Sequence, residues 1–342
     1  MSRHASTIGL SLVALTAAAG LLVAGPLTPP AGPILPTYKT LTEVEPRIAV
    51  SAANTPGDND ATPSLFKITE PGSYYLAGNV VGVSGKIGIE IAASGVTLDL
   101  MGFEVQGVPG SLEGIRATTS SKGLAIRNGS VRLWGASGVQ VSLASGAALE
   151  GLRSVSNGAY GLTTGSDSVI RDCAAIANVQ VGMLVGEAST VEHSTVRSNQ
   201  SDGLSTSTGC VVRGCAAFIN GGAGIVASHY TIVENCSSNN NQGDGIRTFA
   251  QTRIIGNVCA VNSGSGIRAT LGSNHIEGNF VTGNAISGIR SDTGNSINNF
   301  IVRNTAKGNA FNFTLPGVQT IGPIITTTGT ITTTNPWANF EM

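Results

Sequence analysis

Charged and aromatic side chains are scarce in this sequence of 342 residues. Phe, Trp and Tyr make up 5% of the chain, and Asp, Glu, Lys and Arg make up only 11%. The low charged fraction excludes a highly charged disordered chain and a charge-rich helical bundle. The net charge of −1 provides no basic excess, so no nucleic-acid partner is predicted. A CxxC pair is also missing, which argues against a zinc site.

Glycine is abundant instead, with 46 residues, and Ser, Thr, Asn and Val are frequent. Gly and Asn suit tight turns, whereas Val and Thr suit strands. The composition therefore favours a β-rich chain with many turns, long enough for one large domain or two ordinary ones.

Residues 1–24 have the features of a secretory signal peptide. Arg3 and His4 precede an apolar run, Ile8 to Ala24, that contains several small residues. A retained membrane anchor is the alternative for this run of about 17 residues. A Pro-rich linker and N-terminal segment over 25–60 would follow, and no later stretch could span a membrane. We therefore predict that the protein is secreted or located in the cell envelope.

A repeat of 21 residues dominates the rest of the sequence. A glycine followed by an aliphatic residue recurs at this interval at Gly161, Gly182, Gly203, Gly224, Gly245 and Gly266. Gly288 follows after 22 residues, and looser copies precede the series at Gly88, Gly114 and Gly138. An asparagine column keeps the same step at Asn157, Asn178, Asn199, Asn220, Asn241, Asn262 and Asn284. The unit is too short for a two-helix repeat and lacks the leucines of a leucine-rich repeat.

Each repeat has the pattern of one coil of a parallel β-solenoid. Short alternating apolar runs, as in TIVENCS and GIRTF, are separated by turn residues. We predict an all-β solenoid over 61–312, with about ten coils stacked about 4.8 Å apart. The Thr-rich segment 313–342 is predicted to be a C-terminal cap that ends in a packed Trp337.

Aligned repeats predict which side chains point inward. One apolar column contains Leu162, Met183, Leu204, Ile225, Ile246 and Ile267. A second contains Ile170, Val191, Val212, Val233 and Ile254, and a third, small or polar, contains Cys173, Ser194, Cys215, Cys236 and Asn257. The Asn157-to-Asn284 column is predicted to form a ladder in which each amide hydrogen-bonds to the next.

The cysteines are interpreted as small buried thiols, because Cys173, Cys215 and Cys236 share the third column and Cys259 lies in another small inward one. A disulfide between Cys215 and Cys236, on adjacent coils, is the alternative. No histidine joins this column, so neither a metal nor a cofactor is predicted.

Two outward columns carry charge. Arg171, Glu192, Arg213 and Glu234 alternate in sign, which favours in-register pairing of the coils. Arg247, Arg268 and Arg290 instead stack like charges, which is unfavourable. This second column is the candidate ligand-binding strip for an acidic polymer.

The stretches GSYYLAGN and VTLDLMGF, together with the Gly-Ile and Asn columns, resemble the right-handed parallel β-helix repeat proteins of pectin-lyase-like fold. The closest likeness is to exported bacterial members of unassigned function, over about residues 64–312. The resemblance implies a single-stranded right-handed parallel β-helix with N- and C-terminal capping segments. It does not specify an activity, because one fold hosts many functions.

The resemblance does allow enzyme motifs to be checked. The Asn-Thr-Asp, Asp-Asp, Gly-His-Gly and Arg-Ile-Lys motifs of polygalacturonase-type hydrolases are absent, as is the Asp-Pro-His of uronate epimerases. No coil has the acid cluster with which pectate lyases hold calcium. Met183 and His193 lie on different columns, which leaves a copper site without support.

Asp202 and Asp244 remain as catalytic candidates. They precede the glycines of two coils that are two steps apart, roughly 9–10 Å. That separation is near the upper end for inverting glycosidases, and Arg247 lies beside Asp244. The favoured interpretation is structural, because an aspartate at a turn caps the turn backbone and this column is expected to face water.

We therefore predict a non-catalytic surface or envelope scaffold, or a carbohydrate-binding module, with a polysaccharide as partner. The alternative is a polysaccharide lyase or glycoside hydrolase acting on an acidic polysaccharide around Asp202, Asp244 and Arg247. His193, His229 and His275 occupy different columns, so no Ser/His/Asp arrangement can be assembled from them.

Overall fold

A computed structural model describes residues 45–292, 298–326 and 329–342. The predicted signal peptide and most of the predicted linker lie outside the described residues. The unit considered below covers Arg47–Met342. Within the described ranges, no helix is long and apolar enough to cross a membrane.

The described residues form 36 strands, in one sheet of twelve and one of 24. The larger sheet has two faces, which are joined because the long strands Ala125–Arg132 and Ala148–Val155 run through both. We call the twelve-stranded sheet I and the two faces of the larger one sheets II and III. The strand pairs within the described ranges are parallel throughout the three sheets.

Sheet I consists of Ser64–Ile68, Ile87–Ile91, Ile115–Ala117, Val139–Val141, Leu162–Thr164, Met183–Val185, Leu204–Thr206, Ile225–Ala227, Ile246–Thr248, Ile267–Ala269, Ser287–Ser291 and Phe311–Thr314. Sheet II consists of Ile48–Ala49, Gly72–Tyr75, Val96–Asp99, the first halves of the two long strands, Val169–Arg171, Thr190–Glu192, Val211–Arg213, Ile232–Glu234, Arg253–Ile255, His275–Glu277, Phe300–Val302 and Thr320–Ile321. Sheet III consists of Val80–Val81, Glu104–Gln106, the second halves of the long strands, Ala174–Ile176, Thr195–Arg197, Ala216–Phe218, Ser237–Asn239, Val258–Ala260, Phe280–Thr282, Thr305–Lys307, Ile324–Thr326 and Asn339–Glu341.

Each coil places one strand in sheet I, then one in sheet II and one in sheet III. Sheet I has twelve strands, so the solenoid has about twelve coils rather than the ten predicted. The two additional strands are Ser64–Ile68 and Phe311–Thr314, which pair with the neighbouring coils. Both lack the Gly-aliphatic signature on which the prediction depended.

The predicted inward columns form the core. Both apolar columns are fully buried, and the column that begins with Cys173 is buried as well. The coils stack in register, for example with Ile225 beside Ile246 and Ile246 beside Ile267. Equal repeat length therefore places equivalent side chains on top of one another.

The predicted asparagine ladder is confirmed. From Asn157 to Asn262, each Nδ2 donates to the Oδ1 of the asparagine one coil further on, at 2.9–3.0 Å. The same Oδ1 accepts the backbone N–H of the preceding asparagine. The ladder continues through Asn284 to Asn309 and Asn312, so the corner between sheets III and I keeps its buried polar groups hydrogen-bonded.

The glycine column leaves room for this ladder. A Cβ on Gly245 would lie 2.6 Å from the carbonyl oxygen of Gly266 and 2.7 Å from Nδ2 of Asn262. A Cβ on Gly161 would meet the Gly182 carbonyl and the Asn178 amide at 2.4 and 2.7 Å. The glycine and asparagine columns therefore depend on each other, because the ladder amide occupies the space that a side chain at the glycine position would need.

Two further corners carry ladders that the sequence analysis missed. One contains Asn257, Asn279, Asn304 and Asn339, and the other contains Asn274, Asn299 and Gln319. The first has intervals of 22, 25 and 35 residues. Loops of unequal length between the coils therefore hide its regularity in the sequence.

Candidate functional site

The outer face of sheet I is the most enclosed of the three faces. Its central outward side chains, one per coil, are all buried or half-buried: Lys67, Glu90, Arg116, Gln140, Thr163, Leu184, Ser205, Val226, Arg247, Arg268, Arg290 and Thr314. Sheets II and III also have half-buried outward residues, but several of theirs, such as Arg171 and Phe280, are exposed. Ligand-binding sites are usually partly enclosed and combine apolar surface with a few placed polar groups.

Arg247, Arg268 and Arg290 lie side by side on this face, as their register predicted, and we call them the arginine strip. Stacking these like charges was expected to be unfavourable, but neighbouring carboxylates pair with the three guanidiniums and offset the repulsion. The ion pairs are Arg247–Asp202, Arg268–Asp244, Arg268–Asp292 and Arg290–Asp292. The strip is therefore a network of paired charges.

Asp292 is a member of this network that sequence reasoning missed. Its Oδ2 accepts from Arg268 Nη2 at 2.8 Å, and its Oδ1 lies 3.1 Å from Arg290 Nε. The hydrogen bond to Asp292 outweighs the opposing effect of burial and raises the pKa of Arg268. Asp292 follows the last strip arginine by two residues, which is the one sequence signal that could have identified it.

Asp202 and Asp244 occupy equivalent corners two coils apart, as predicted. Asp202 Oδ1 accepts the backbone N–H of Ala223 at 2.7 Å, and Asp244 Oδ1 accepts that of Ser265 at 2.8 Å. The second oxygen of Asp202 lies 3.3 Å from Arg247, and that of Asp244 lies 3.7 Å from Arg268. Each carboxylate thus caps the next coil, as the structural interpretation expects, and also holds an arginine.

The expectation that this corner column faces water is wrong. Asp244 is only 7% exposed, and Ser265 is fully buried. Each side chain lies beside the outer face of sheet I, because it accepts a hydrogen bond from the next coil and faces one of the strip arginines. Burial makes these hydrogen bonds more important for stability than bonds at an exposed turn.

A second charged cluster lies at the N-terminal end of the same face. Lys67 Nζ contacts the carboxylates of Asp58, Asp60 and Glu90. These contacts, with Asp58 the strongest, favour the charged amine more than burial disfavours it, so the pKa of Lys67 is raised. Thr118 donates to Glu90 at 2.8 Å. Between this cluster and the arginine strip, the central outward column is uncharged from Gln140 to Val226.

The arginine strip ends at a depression of about 380 Å³, lined by Arg268, Arg290, Ser291, Asp292, Thr314 and Pro316. A volume of this size is within the range of about 300–1,000 Å³ for small-molecule sites. The depression therefore offers space for a sugar residue beside the last two arginines.

The alternating column on sheet II is longer than predicted. Asp99, Arg127 and Glu150 precede Arg171 in the same register. Ion pairs join Arg127 to Asp99 at 3.0 Å and Arg171 to Glu150 at 3.0 Å. The arginines of these pairs are more exposed than those of the arginine strip, so we interpret the pairs as support for the coil register.

The cysteines are free thiols in the structure, and all five are buried. Cys215 N–H donates to Cys236 Sγ at 3.4 Å, so these residues take part in a corner ladder rather than a disulfide. Burial raises the pKa of the Cys173 thiol to about 11. Within the described ranges, no group of three or more His, Cys, Asp or Glu side chains is arranged to hold a metal ion.

The family model described as "Right handed beta helix region" matches residues 71–217. The chain is a right-handed parallel β-helix repeat protein. No curated protein sequence matches this β-helix protein.

Several solved structures are similar to the β-helix protein in fold. The Azotobacter vinelandii Mannuronan C-5 epimerase AlgE6 A-module has a TM-score of 0.51 at 14% identity, over 79% of this chain and 89% of that one. The periplasmic alginate epimerase AlgG has a TM-score of 0.51 at 10% identity, over 85% and 80%. The Agl-KA catalytic domain has a TM-score of 0.54 at 15% identity, over 79% and 60%. Identities this low establish the fold alone.

Proposed function

We propose that this protein is an exported, non-catalytic carbohydrate-binding β-helix of the cell surface or envelope, and that it binds an acidic polysaccharide along the outer face of sheet I. The observation that carries this proposal is the arginine strip, one guanidinium per coil on an enclosed face. Coils about 4.8 Å apart repeat on a scale similar to the length of one sugar ring. A polymer lying along the solenoid axis would therefore meet successive arginines with successive residues.

The carboxylates hold the guanidiniums in place without occupying all their donors. Among the described residues, Arg247 contacts a carboxylate through Nη2 and Arg290 through Nε. A guanidinium has five N–H donors in a planar fork, so these two retain donors for a sugar carboxylate. Charge-assisted, bidentate bonds of this kind are among the strongest hydrogen bonds in proteins.

The same network supports binding rather than catalysis. A general acid must reach the leaving group, and a nucleophile needs an unhindered oxygen. Asp202 and Asp244 each have one oxygen on a backbone N–H and the other facing an arginine. These contacts occupy both oxygens of each carboxylate and fix their positions, which suits a scaffold for the arginines.

The structural neighbours give independent support for a carbohydrate role. Two of them are named as epimerases of mannuronan and alginate, and one of these is named as periplasmic. Both polymers carry carboxylates on their sugar rings. An acidic polysaccharide and an envelope location are accordingly the ligand class and the compartment that we propose for this chain.

The test is retention of the purified protein on immobilised polyuronate, across a range of salt concentrations. The double variant Arg247→Ala/Arg268→Ala should bind at least about tenfold more weakly, because it removes charge-assisted bonds. Arg171→Ala/Arg213→Ala removes the same charge from sheet II and is the matched control, with an expected change of about twofold or less. Equal losses in both double variants would show that net charge alone drives retention and would overturn the site.

Catalysis is tested separately on the same polymers. Reducing ends and the ultraviolet absorbance of unsaturated sugars would reveal hydrolase and lyase products. We expect neither to form. Product formation by the natural chain that is lost in Asp202→Asn or Asp244→Asn would overturn the non-catalytic assignment and favour the enzyme alternative.

A further inference from the structure

An aromatic cluster lies on the outer face of sheet II at the C-terminal end of the solenoid. His275 and Phe300 are neighbours in register, with ring centroids 5.0 Å apart, and Phe300 meets Trp337 edge-on at 6.1 Å. Phe, Trp and Tyr make up only 5% of the chain, and two of its residues are tryptophans. The contact of Phe300 with both Trp337 and the His275 ring is therefore a local concentration of aromatic side chains. Trp337 was predicted to be packed, but it is 46% exposed.

Two depressions lie on either side of Phe300. One of about 390 Å³ is lined by Phe300, Trp337, Ile321 and Pro323, with Thr320 and Asn335 among its polar residues. The other, of about 440 Å³, is lined by Phe300, His275, Asn298 and Thr320. Both volumes are within the range of small-molecule sites, and both combine an aromatic surface with hydroxyl and amide groups.

The charges at this cluster neutralise each other and hold it in shape. Arg303 Nη1 donates to Glu277 at 2.9 Å, and Arg303 Nε donates to the carbonyl of Pro336, also at 2.9 Å. The Arg303 guanidinium lies 4.5 Å from the centroid of the Trp337 ring and covers part of it. Glu277 also lies 3.0 Å from His275 Nε2. The cluster is thus preorganised, and it has no row of arginines for an acidic ligand.

Amide donors are available at the rims of both depressions. The side-chain oxygen of Asn335 accepts the backbone N–H of Trp337 at 2.9 Å, and that of Asn298 accepts from Thr320. These hydrogen bonds fix the orientation of each side-chain amide and involve its Oδ1 but not its Nδ2. Each Nδ2 can then donate to a ligand hydroxyl.

We propose that this cluster is a second glycan subsite, which binds a neutral sugar ring of an oligosaccharide. The apolar C–H face of a pyranose would pack on Phe300 and the exposed part of Trp337, where burial of apolar surface and the negative ring face both favour contact. Its hydroxyls would meet Asn298, Asn335 and Thr320. The subsite is independent of the arginine strip, because it lies on a different sheet and has no row of arginines.

Intrinsic fluorescence gives a direct test, because the two tryptophans differ in exposure. Trp134 is 1% exposed in the core, so a change in emission on adding ligand reports Trp337. The full-length protein is titrated with neutral gluco-, manno-, galacto- and xylo-oligosaccharides, and with oligouronates. We expect the Trp337 emission to change saturably with at least one neutral series and to stay unchanged with the oligouronates.

Variants then locate the ligand. By calorimetry or ligand-observed NMR, Trp337→Ala and Phe300→Ala should each weaken binding by about tenfold or more, whereas Trp337→Phe should retain most of it. Asn335→Ala should weaken binding severalfold without removing an aromatic ring, so it serves if an aromatic variant fails to fold. Arg171→Ala/Arg213→Ala, on other coils of the same sheet, is the matched control and should leave neutral-sugar affinity unchanged.

Three outcomes would overturn the subsite. They are an absence of binding by all the neutral series, binding that is unaffected by both Trp337→Ala and Asn335→Ala, and a preference for oligouronates. A concentration-dependent dimer that Trp337→Ala abolishes, without sugar binding, would assign the cluster to a contact between two copies of the chain. Light scattering on the same samples distinguishes that case.

Discussion

Asp244 Oδ1 and the backbone N–H of Ser265, one coil further on, are joined by a hydrogen bond of 2.8 Å. The bond is buried, and the second oxygen of Asp244 faces Arg268. A residue that the sequence offers as a catalytic candidate thus holds two neighbouring coils together. Removal of the Asp244 carboxylate should therefore lower the stability of the folded protein.

Asp244→Ala should lower the free energy of unfolding by about 1–3 kcal/mol, because it leaves the buried Ser265 N–H without its acceptor. Asp244→Asn retains a side-chain oxygen and should cost less. Urea unfolding followed by circular dichroism measures both. Equal losses for the two variants would contradict a capping role.

Gly245→Ala should destabilise the protein more than an ordinary Gly-to-Ala change. Its Cβ would lie 2.6 Å from the Gly266 carbonyl and 2.7 Å from the Asn262 amide, so the asparagine ladder would have to shift. Overpacking of this kind costs about 1–3 kcal/mol. Gly78→Ala, where a Cβ would meet no atom within 4 Å, is the matched control and should leave the thermal midpoint nearly unchanged.

The thiols should be unreactive in the folded protein. All five are buried, and burial raises the pKa of Cys173 to about 11, so little nucleophilic thiolate forms. A thiol-specific chromogenic reagent should detect almost none in the native state and all five in denaturant, with or without prior reduction. A count that rises by two only after reduction would instead indicate a disulfide, as in the alternative at Cys215 and Cys236.

Asp99 should make stability depend on pH in the acid range. Burial opposes ionisation of its carboxyl, but hydrogen bonds from the Met101 backbone, Asn128 and Arg127 outweigh it, so the pKa of Asp99 is lowered. A lowered folded-state pKa contributes stability above the unfolded value of about 3.9, and that stability is lost as pH falls through the folded pKa.

Asp99→Asn should therefore reduce the free energy of unfolding at neutral pH and make it less sensitive to pH below about 4. Urea unfolding at neutral and acid pH measures both effects. Asp172→Asn, at an exposed corner, is the control and should follow the natural protein. Identical acid sensitivity in Asp99→Asn and the natural protein would rule out this contribution.

Wherever the repeat interval is constant, the sequence predicted the fold in detail. The inward columns and the Asn157-to-Asn284 ladder follow from a step of 21 or 22 residues, because equal coils stack equivalent side chains in register. The predicted number of coils, about ten, was lower than the twelve observed, since Ser64–Ile68 and Phe311–Thr314 lack the glycine signature. The same reasoning placed the arginine strip correctly but described it as a row of unbalanced charges.

By itself, the sequence determined a stack of β-coils with a glycine and an asparagine at one corner, because those features are local and periodic. Only the tertiary structure decided the partners of the non-periodic residues. Asp202 reaches Arg247 across two coils, Asp292 enters the arginine strip, and Trp337 meets Phe300. These residue types do not recur at the same position of every coil, so the repeat interval does not predict their contacts. Stacking at a fixed rise brings these residues together in space.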